Sequence, residues 1–210
     1  MAFALCITLA GAASLTAAAE SEEPGLNSYE EDGKNYIYYI DEDGNRLTGT
    51  WMTVGEYEYY FTDDGYAVSA VLPDEKDVRL GQNITLVQQE IDGKRYCFDQ
   101  DGHKRSGILY PTSKDESGKR KGHFEAYDED GVFDEELTEK LQEAAVYESD
   151  SAAIRELLSD LTPEKTEEGN SCYPPMPEGT DIIVYYDAFI VNYCKDKAGE
   201  TEVFLGAVTR

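Results

Sequence analysis

The sequence predicts a mainly β protein with a smaller α+β part: an interrupted β-hairpin solenoid followed by a small C-terminal α+β domain. Two observations carry this. One short pattern occurs four times, as YYIDEDG, YYFTDDG, YCFDQDG and EAYDEDG, ending at Gly44, Gly65, Gly102 and Gly131. Recurring units of this size stack and share a core. Beyond residue 133 the apolar spacing changes from period two to helical, then back to strand-like. The chain divides accordingly into a signal peptide at 1–19, an acidic linker at 20–31, hairpin repeats at 32–133 and an α+β domain at 134–210.

The first nineteen residues hold no Asp, Glu, Lys or Arg, and 3–15 is an apolar run. Small residues at Ala17 and Ala19 then precede Glu20, the pattern of an export cleavage point. The basic region that normally leads such a signal is missing, as it would be in a truncated start or if the run were a membrane anchor; its many Ala, Thr, Ser and Gly residues make a weak span, which favours export. Export places the mature chain outside the cell or at its surface, with no membrane insertion once the signal is removed. The formal net charge of −26 disfavours nucleic acid and anionic lipid as partners.

In the repeats, three aromatic-rich positions precede each acidic turn: Tyr38-Tyr39-Ile40, Tyr59-Tyr60-Phe61, Tyr96-Cys97-Phe98 and Glu125-Ala126-Tyr127. A second turn signal lies upstream of each, at Gly33-Lys34, Gly55-Glu56, Gly93-Lys94 and Gly122-His123, so each copy reads as a β-hairpin. Isolated hairpins are marginal in water, so these must bury their rings against one another. The turn glycines are 21, 37 and 29 residues apart, and the extra length falls in the polar stretches 73–77 and 112–121. Asp-Gly is the commonest tight-turn chemistry, so turn geometry accounts for the Asp residues without calcium and no metal site is expected.

The stretch 49–65, GTWMTVGEYEYYFTDDG, resembles the cell-wall-binding repeat of choline-binding and glucan-binding surface proteins, where a Gly-Trp pair precedes a turn, an aromatic triplet and an acidic Asp-Gly turn. The resemblance covers about residues 32 to 133. It implies a β-hairpin solenoid that binds a cell-wall polymer or polysaccharide, of choline or glucan type. It also implies a ligand cage at Trp51, Tyr59 and Tyr60, with Tyr38 and Tyr39 as their counterparts one repeat earlier. Aromatic faces attract cations and stack on the apolar faces of sugars. The chain departs from the family pattern in having a single Trp and in carrying Ile108 after Gly107.

In the C-terminal part, Leu137, Leu141, Ala144 and Ala145 have helical spacing, and so do Ala153, Ile154, Leu157, Leu158 and Leu161. The second helix has candidate caps at Ser149, Asp150 and Ser151 and stops before Pro163. A loop through Gly169 and Pro174-Pro175 leads to strand-like runs at 182–193 and 202–208. From Ile154 onward the chain resembles small extracellular α+β modules of the beta-lactamase-inhibitor-protein type, which implies a protein-interaction or scaffold role. After cleavage Cys97, Cys172 and Cys194 remain. Cys97 sits inside a repeat, so Cys172 and Cys194 are the pair that would bridge; alternatively all three are small buried hydrophobes.

Only His103 and His123 offer imidazole chemistry, and neither lies near a nucleophile motif. No phosphate loop or zinc spacing appears. The expectation is a secreted, non-catalytic surface protein without a cofactor that binds a wall polymer or polysaccharide through its repeats. The alternative makes the repeats a scaffold and the C-terminal domain a protein-interaction or inhibitory module.

Overall fold

The computed structural model describes residues 23–31, 34–69, 86–114, 120–169 and 179–210. The expected signal peptide lies outside the described residues. The first repeat pairs β1 (Gly25–Glu31) with β2 (Lys34–Ile40), and the second pairs β3 (Thr50–Val54) with β4 (Tyr57–Phe61), both antiparallel. In the third, β5 (Val87–Ile91) and β6 (Lys94–Phe98) are joined by the short β7 (Lys104–Arg105). The fourth repeat is split. Its strand β8 (Gly107–Leu109) is separated in sequence from its partner β11 (Glu125–Tyr127) by an inserted hairpin of β9 (Thr112–Lys114) and β10 (Arg120–Gly122). The sheet is completed by β12 (Phe133–Asp134). Gly122 therefore ends an inserted strand instead of turning the repeat hairpin. Part of the segment read as an acidic linker is strand, because β1 satisfies its backbone along the whole of β2 despite its charged end.

Every acidic turn closes in the same way. The residue three before the glycine exchanges backbone hydrogen bonds across the turn, as in Gly44 N to Asp41 O (3.1 Å) and Gly131 N to Asp128 O (2.9 Å). Where that residue is Asp, its Oδ1 accepts from the backbone N–H four residues on: Asn45 (2.7 Å), His103 (3.0 Å) and Val132 (2.8 Å). Four residues before the glycine and two after it then pair: Ile40 with Arg46, Phe61 with Ala67, Phe98 with Lys104 and Tyr127 with Phe133. A similar turn, closed one residue later by Asp196 N to Thr201 O, recurs outside the repeats at Asp196–Gly199.

The turn glycines also set how repeats stack. All four have positive φ, between 77° and 82°, a conformation open to glycine at little steric cost. A Cβ at Gly65 would lie 2.6 Å from Arg46 Cδ, one at Gly102 would lie 3.4 Å from Ala67 Cβ, and one at Gly131 would lie 3.0 Å from Lys104 Cδ. Each neighbour is the residue two past the previous turn glycine. Gly44, the first of the four turn glycines, would meet nothing within 4 Å.

The C-terminal part holds α1 (Glu135–Ala144), α2 (Ala152–Leu157) and the antiparallel sheet β13 (Lys165–Gly169), β14 (Thr180–Tyr185), β15 (Phe189–Lys195) and β16 (Glu202–Thr209), in that order. Helix α1 starts where Asp134 accepts from Leu137 N at 3.0 Å. Asp150 accepts from Ala152 N at the start of α2, while Ser151 makes no side-chain cap. The run read as one strand over 182–193 is two strands folded back at Asp187, and β13 is an additional edge strand of charged residues. The core of this part is shared with the repeats. Phe124 and Ala126 of the fourth repeat are buried with Leu141, Ile154, Phe189, Val191, Tyr193 and Phe204. Ala126 N also donates to Thr138 Oγ1 of α1 at 2.9 Å. A small residue at 126 lets α1 lie against the strand, which accounts for the eroded aromatic triplet of this copy.

The glycine fit predicts a graded response to substitution. Gly44→Ala should cost about 1 kcal/mol, the strain of positive φ alone. Gly65→Ala and Gly131→Ala should cost about 1 kcal/mol more than that, the low end of the overpacking range, because the Arg46 and Lys104 side chains must shift to admit the methyl. Urea denaturation of the three variants checks the order.

Candidate functional site

The residues expected to form a cage divide among three places. Adjacent strand residues point to opposite faces, so Tyr59 and Tyr60 cannot serve one site. Trp51 and Tyr60 are cross-strand partners with ring centroids 5.1 Å apart. They face the third repeat, where Trp51 meets Tyr96 at 4.9 Å and Phe98 at 5.9 Å. Tyr59 is buried on the other face with Phe61 and Ile37, and Tyr39 packs half-buried on that cluster. Tyr38 is also buried, against Tyr29 and Tyr66. The five residues do not converge on one pocket.

Two residues outside that set line an open groove of about 310 Å³ between the first three repeats. Tyr36 comes from β2 and Tyr66 follows the turn glycine of the second repeat; their centroids lie 5.2 Å apart at 61°. Ala67 and Val68 contribute apolar surface, while Lys34, Asn35, Thr62, Ser69 and Gln89 supply polar groups. Tyr29 stacks on Tyr36 at 5.1 Å and its hydroxyl lies 3.0 Å from that of Tyr66. That hydrogen bond is the main reason the Tyr29 phenol is pushed up to about 12. The groove thus offers half-exposed ring surface beside amide and hydroxyl groups, which suits stacking together with hydrogen bonding. The Gly65-Tyr66 step was a legible signal, since no other copy carries a Tyr directly after its turn glycine.

The rings already hold cations. The Arg46 guanidinium carbon lies 4.1 Å from the Tyr38 centroid and 4.9 Å from that of Tyr66. Lys104 Nζ lies 5.5 Å from the Trp51 centroid, and the Arg95 guanidinium covers Phe133. Apart from Arg46 over Tyr38, these contacts join neighbouring repeats. An ammonium ligand approaching Tyr38 or Tyr66 would meet a charge of its own sign.

Among the described residues, several other chemistry-bearing groups have structural partners. Asp99, Asp101 and His103 lie close enough to share an ion, but Asp99 Oδ2 already faces Arg105 at 3.3 Å. His103 stacks on Tyr57 at 3.7 Å. Cys97 is a free, buried thiol whose burial pushes its pKa up to about 12, which disfavours the thiolate. Cys194 is disulfide-bonded; Cys172 lies outside the described residues. Among the described residues no helix is long and apolar enough to cross a membrane.

No protein-family model and no curated protein matches the chain. Solved structures do. The modular Cpl-1 endolysin complexed with a peptidoglycan analogue aligns over 87% of this chain and 39% of its own, at 12% identity and a TM-score of 0.32. A truncated alternansucrase from Leuconostoc mesenteroides aligns over 82% of this chain and 11% of its own, at 15% identity and a TM-score of 0.30. Choline binding protein F from Streptococcus pneumoniae aligns over 53% of this chain and 42% of its own, at 21% identity and a TM-score of 0.19. The chain spans less than half the length of each.

One buried polar network predicts a pH dependence. Glu125 is buried and accepts from Gln88 Nε2, from Tyr127 OH at 2.7 Å, and at Oε1 from His123 Nε2 at 2.7 Å. Burial pushes the Glu125 carboxyl up, but the hydrogen bonds from His123 and Tyr127 outweigh it and hold the group below its ordinary value of 4.5. The bond to Glu125 raises His123 above 6.5, against its own partial burial. A depressed Glu125 contributes stability that is present above 4.5 and lost as pH falls through the lowered value. A raised His123 contributes stability that is full below 6.5 and lost as pH rises through the raised value. Thermal melts of the wild type should therefore decline on the alkaline side of 6.5, and His123→Gln should flatten that decline.

Proposed function

We propose that the chain is a secreted or surface-exposed, non-catalytic protein that binds a cell-wall polymer or another polysaccharide through its hairpin repeats. The observation that carries this is the groove between Tyr36 and Tyr66. The apolar face of a sugar ring stacks on such rings, and Asn35, Thr62 and Gln89 provide donors and acceptors for its hydroxyls. Sugar stacking is favoured over quaternary ammonium capture because Arg46 already lies over Tyr38 and Tyr66. A neutral or weakly charged polymer also fits a chain of formal charge −26 better than a polyanion does. The committed states of Cys97, His103 and His123 support a role without a catalytic nucleophile or base.

Retention of the purified protein on immobilised dextran and on purified Gram-positive cell walls, with and without excess choline, tests the proposal. Wild type should be retained, choline should not elute it, and Tyr36→Ala combined with Tyr66→Ala should lower apparent affinity by about tenfold or more, since each lost ring contact is worth about 0.5–1.5 kcal/mol. Circular dichroism confirms that the variant is folded. No retention of wild type, elution by choline, or unchanged retention of the folded variant would each contradict the reading.

A further inference from the structure

A second groove, of about 660 Å³, lies between the fourth repeat and the two helices and shares no residue with the tyrosine groove. Its apolar floor comes from four separate places: Ile108 of β8, Leu137 of α1, Leu157 of α2 and Leu161 beyond it, all half-buried. Four exposed carboxylates stand around it, Asp128 and Glu129 in the fourth acidic turn and Glu156 and Asp160 in and after α2. No Lys or Arg lines it.

We propose that this groove docks a basic amphipathic segment of another protein. The floor leaves aliphatic surface in water that a partner's apolar side chains would cover. The carboxylates would meet Lys or Arg on the flanks of the same segment, which sets orientation and rejects neutral or acidic apolar peptides. The two features coincide in one place, and only a segment with an apolar face and a cationic face satisfies both. Because the helices and the fourth repeat share one core, the groove is formed by this chain itself and is present without the partner. The inference is independent of polysaccharide binding.

The test uses the full chain and a fluorescein-labelled synthetic peptide of Leu and Lys in amphipathic helical spacing, followed by anisotropy at near-physiological salt. A chain this acidic attracts any cationic peptide, so two charge reversals of equal size are compared. Glu156→Lys with Asp160→Lys alters the groove, whereas Glu42→Lys with Asp43→Lys alters the exposed first turn. The groove pair should weaken binding by about tenfold or more and the turn pair by less than about threefold. Methyl NMR of the wild type should show shifts at Ile108, Leu137, Leu157 and Leu161 on addition of peptide. No binding, equal weakening by both pairs, or methyl shifts confined to other sites would overturn the proposal. If the groove variant fails to fold, the wild-type methyl shifts decide alone.

Discussion

Each turn glycine after the first passes against a side chain from the repeat before it, and the array depends on that fit. Gly65 covers Arg46, Gly102 covers Ala67 and Gly131 covers Lys104. Positive φ alone would tolerate Asn or Asp at modest cost, but at the first and third of these contacts a Cβ is admitted only if the Arg46 or Lys104 side chain shifts aside. The fit fixes how successive turns meet while leaving the connecting chain free to vary. Separations of 21, 37 and 29 residues between glycines are thus compatible with one stacking rule. One visible excursion, the β9–β10 hairpin, projects from the fourth repeat and leaves its turn unchanged.

The same stacking brings basic side chains over rings. Arg46 reaches from the first repeat over Tyr66 of the second, Lys104 from the third over Trp51 of the second, and Arg95 from the third over Phe133 of the fourth. Cation–π attraction at such partly desolvated contacts is worth about 0.5–2 kcal/mol each, comparable to the ring–ring contacts around them. The aromatic richness of the chain is therefore spent mainly inside the stack, with the chain's own cations as partners. Tyr36 and Tyr66 differ because a groove opens beside them, and this moves the candidate ligand from an ammonium toward a sugar.

Local chemistry was readable from sequence and facing was not. The four turns could be placed because the acidic residues and Gly act within one short segment, which in three copies is capped by its own Asp side chain. The hairpins followed from aromatic strands between turn signals. Which ring faces which neighbour depends on pairing between repeats, so Trp51, Tyr59 and Tyr60 looked like one site although strand alternation separates them. Likewise β13, with Lys165, Glu167 and Glu168, lacks the apolar alternation of a strand because it is an edge whose side chains stay wet. The fourth repeat looked worn because its sequence serves two masters: Tyr127 keeps the turn, while Ala126 makes room for α1.

The central claim is that the turn glycines interlock with the preceding repeat. Nuclear Overhauser contacts in the intact protein measure it most directly. The structure predicts cross-peaks from Gly65 Hα to the Arg46 side-chain methylenes, from Gly102 Hα to the Ala67 methyl and from Gly131 Hα to the Lys104 methylenes, with none from Gly44 Hα to an equivalent side chain. A folded protein that lacks these three contacts would contradict the account.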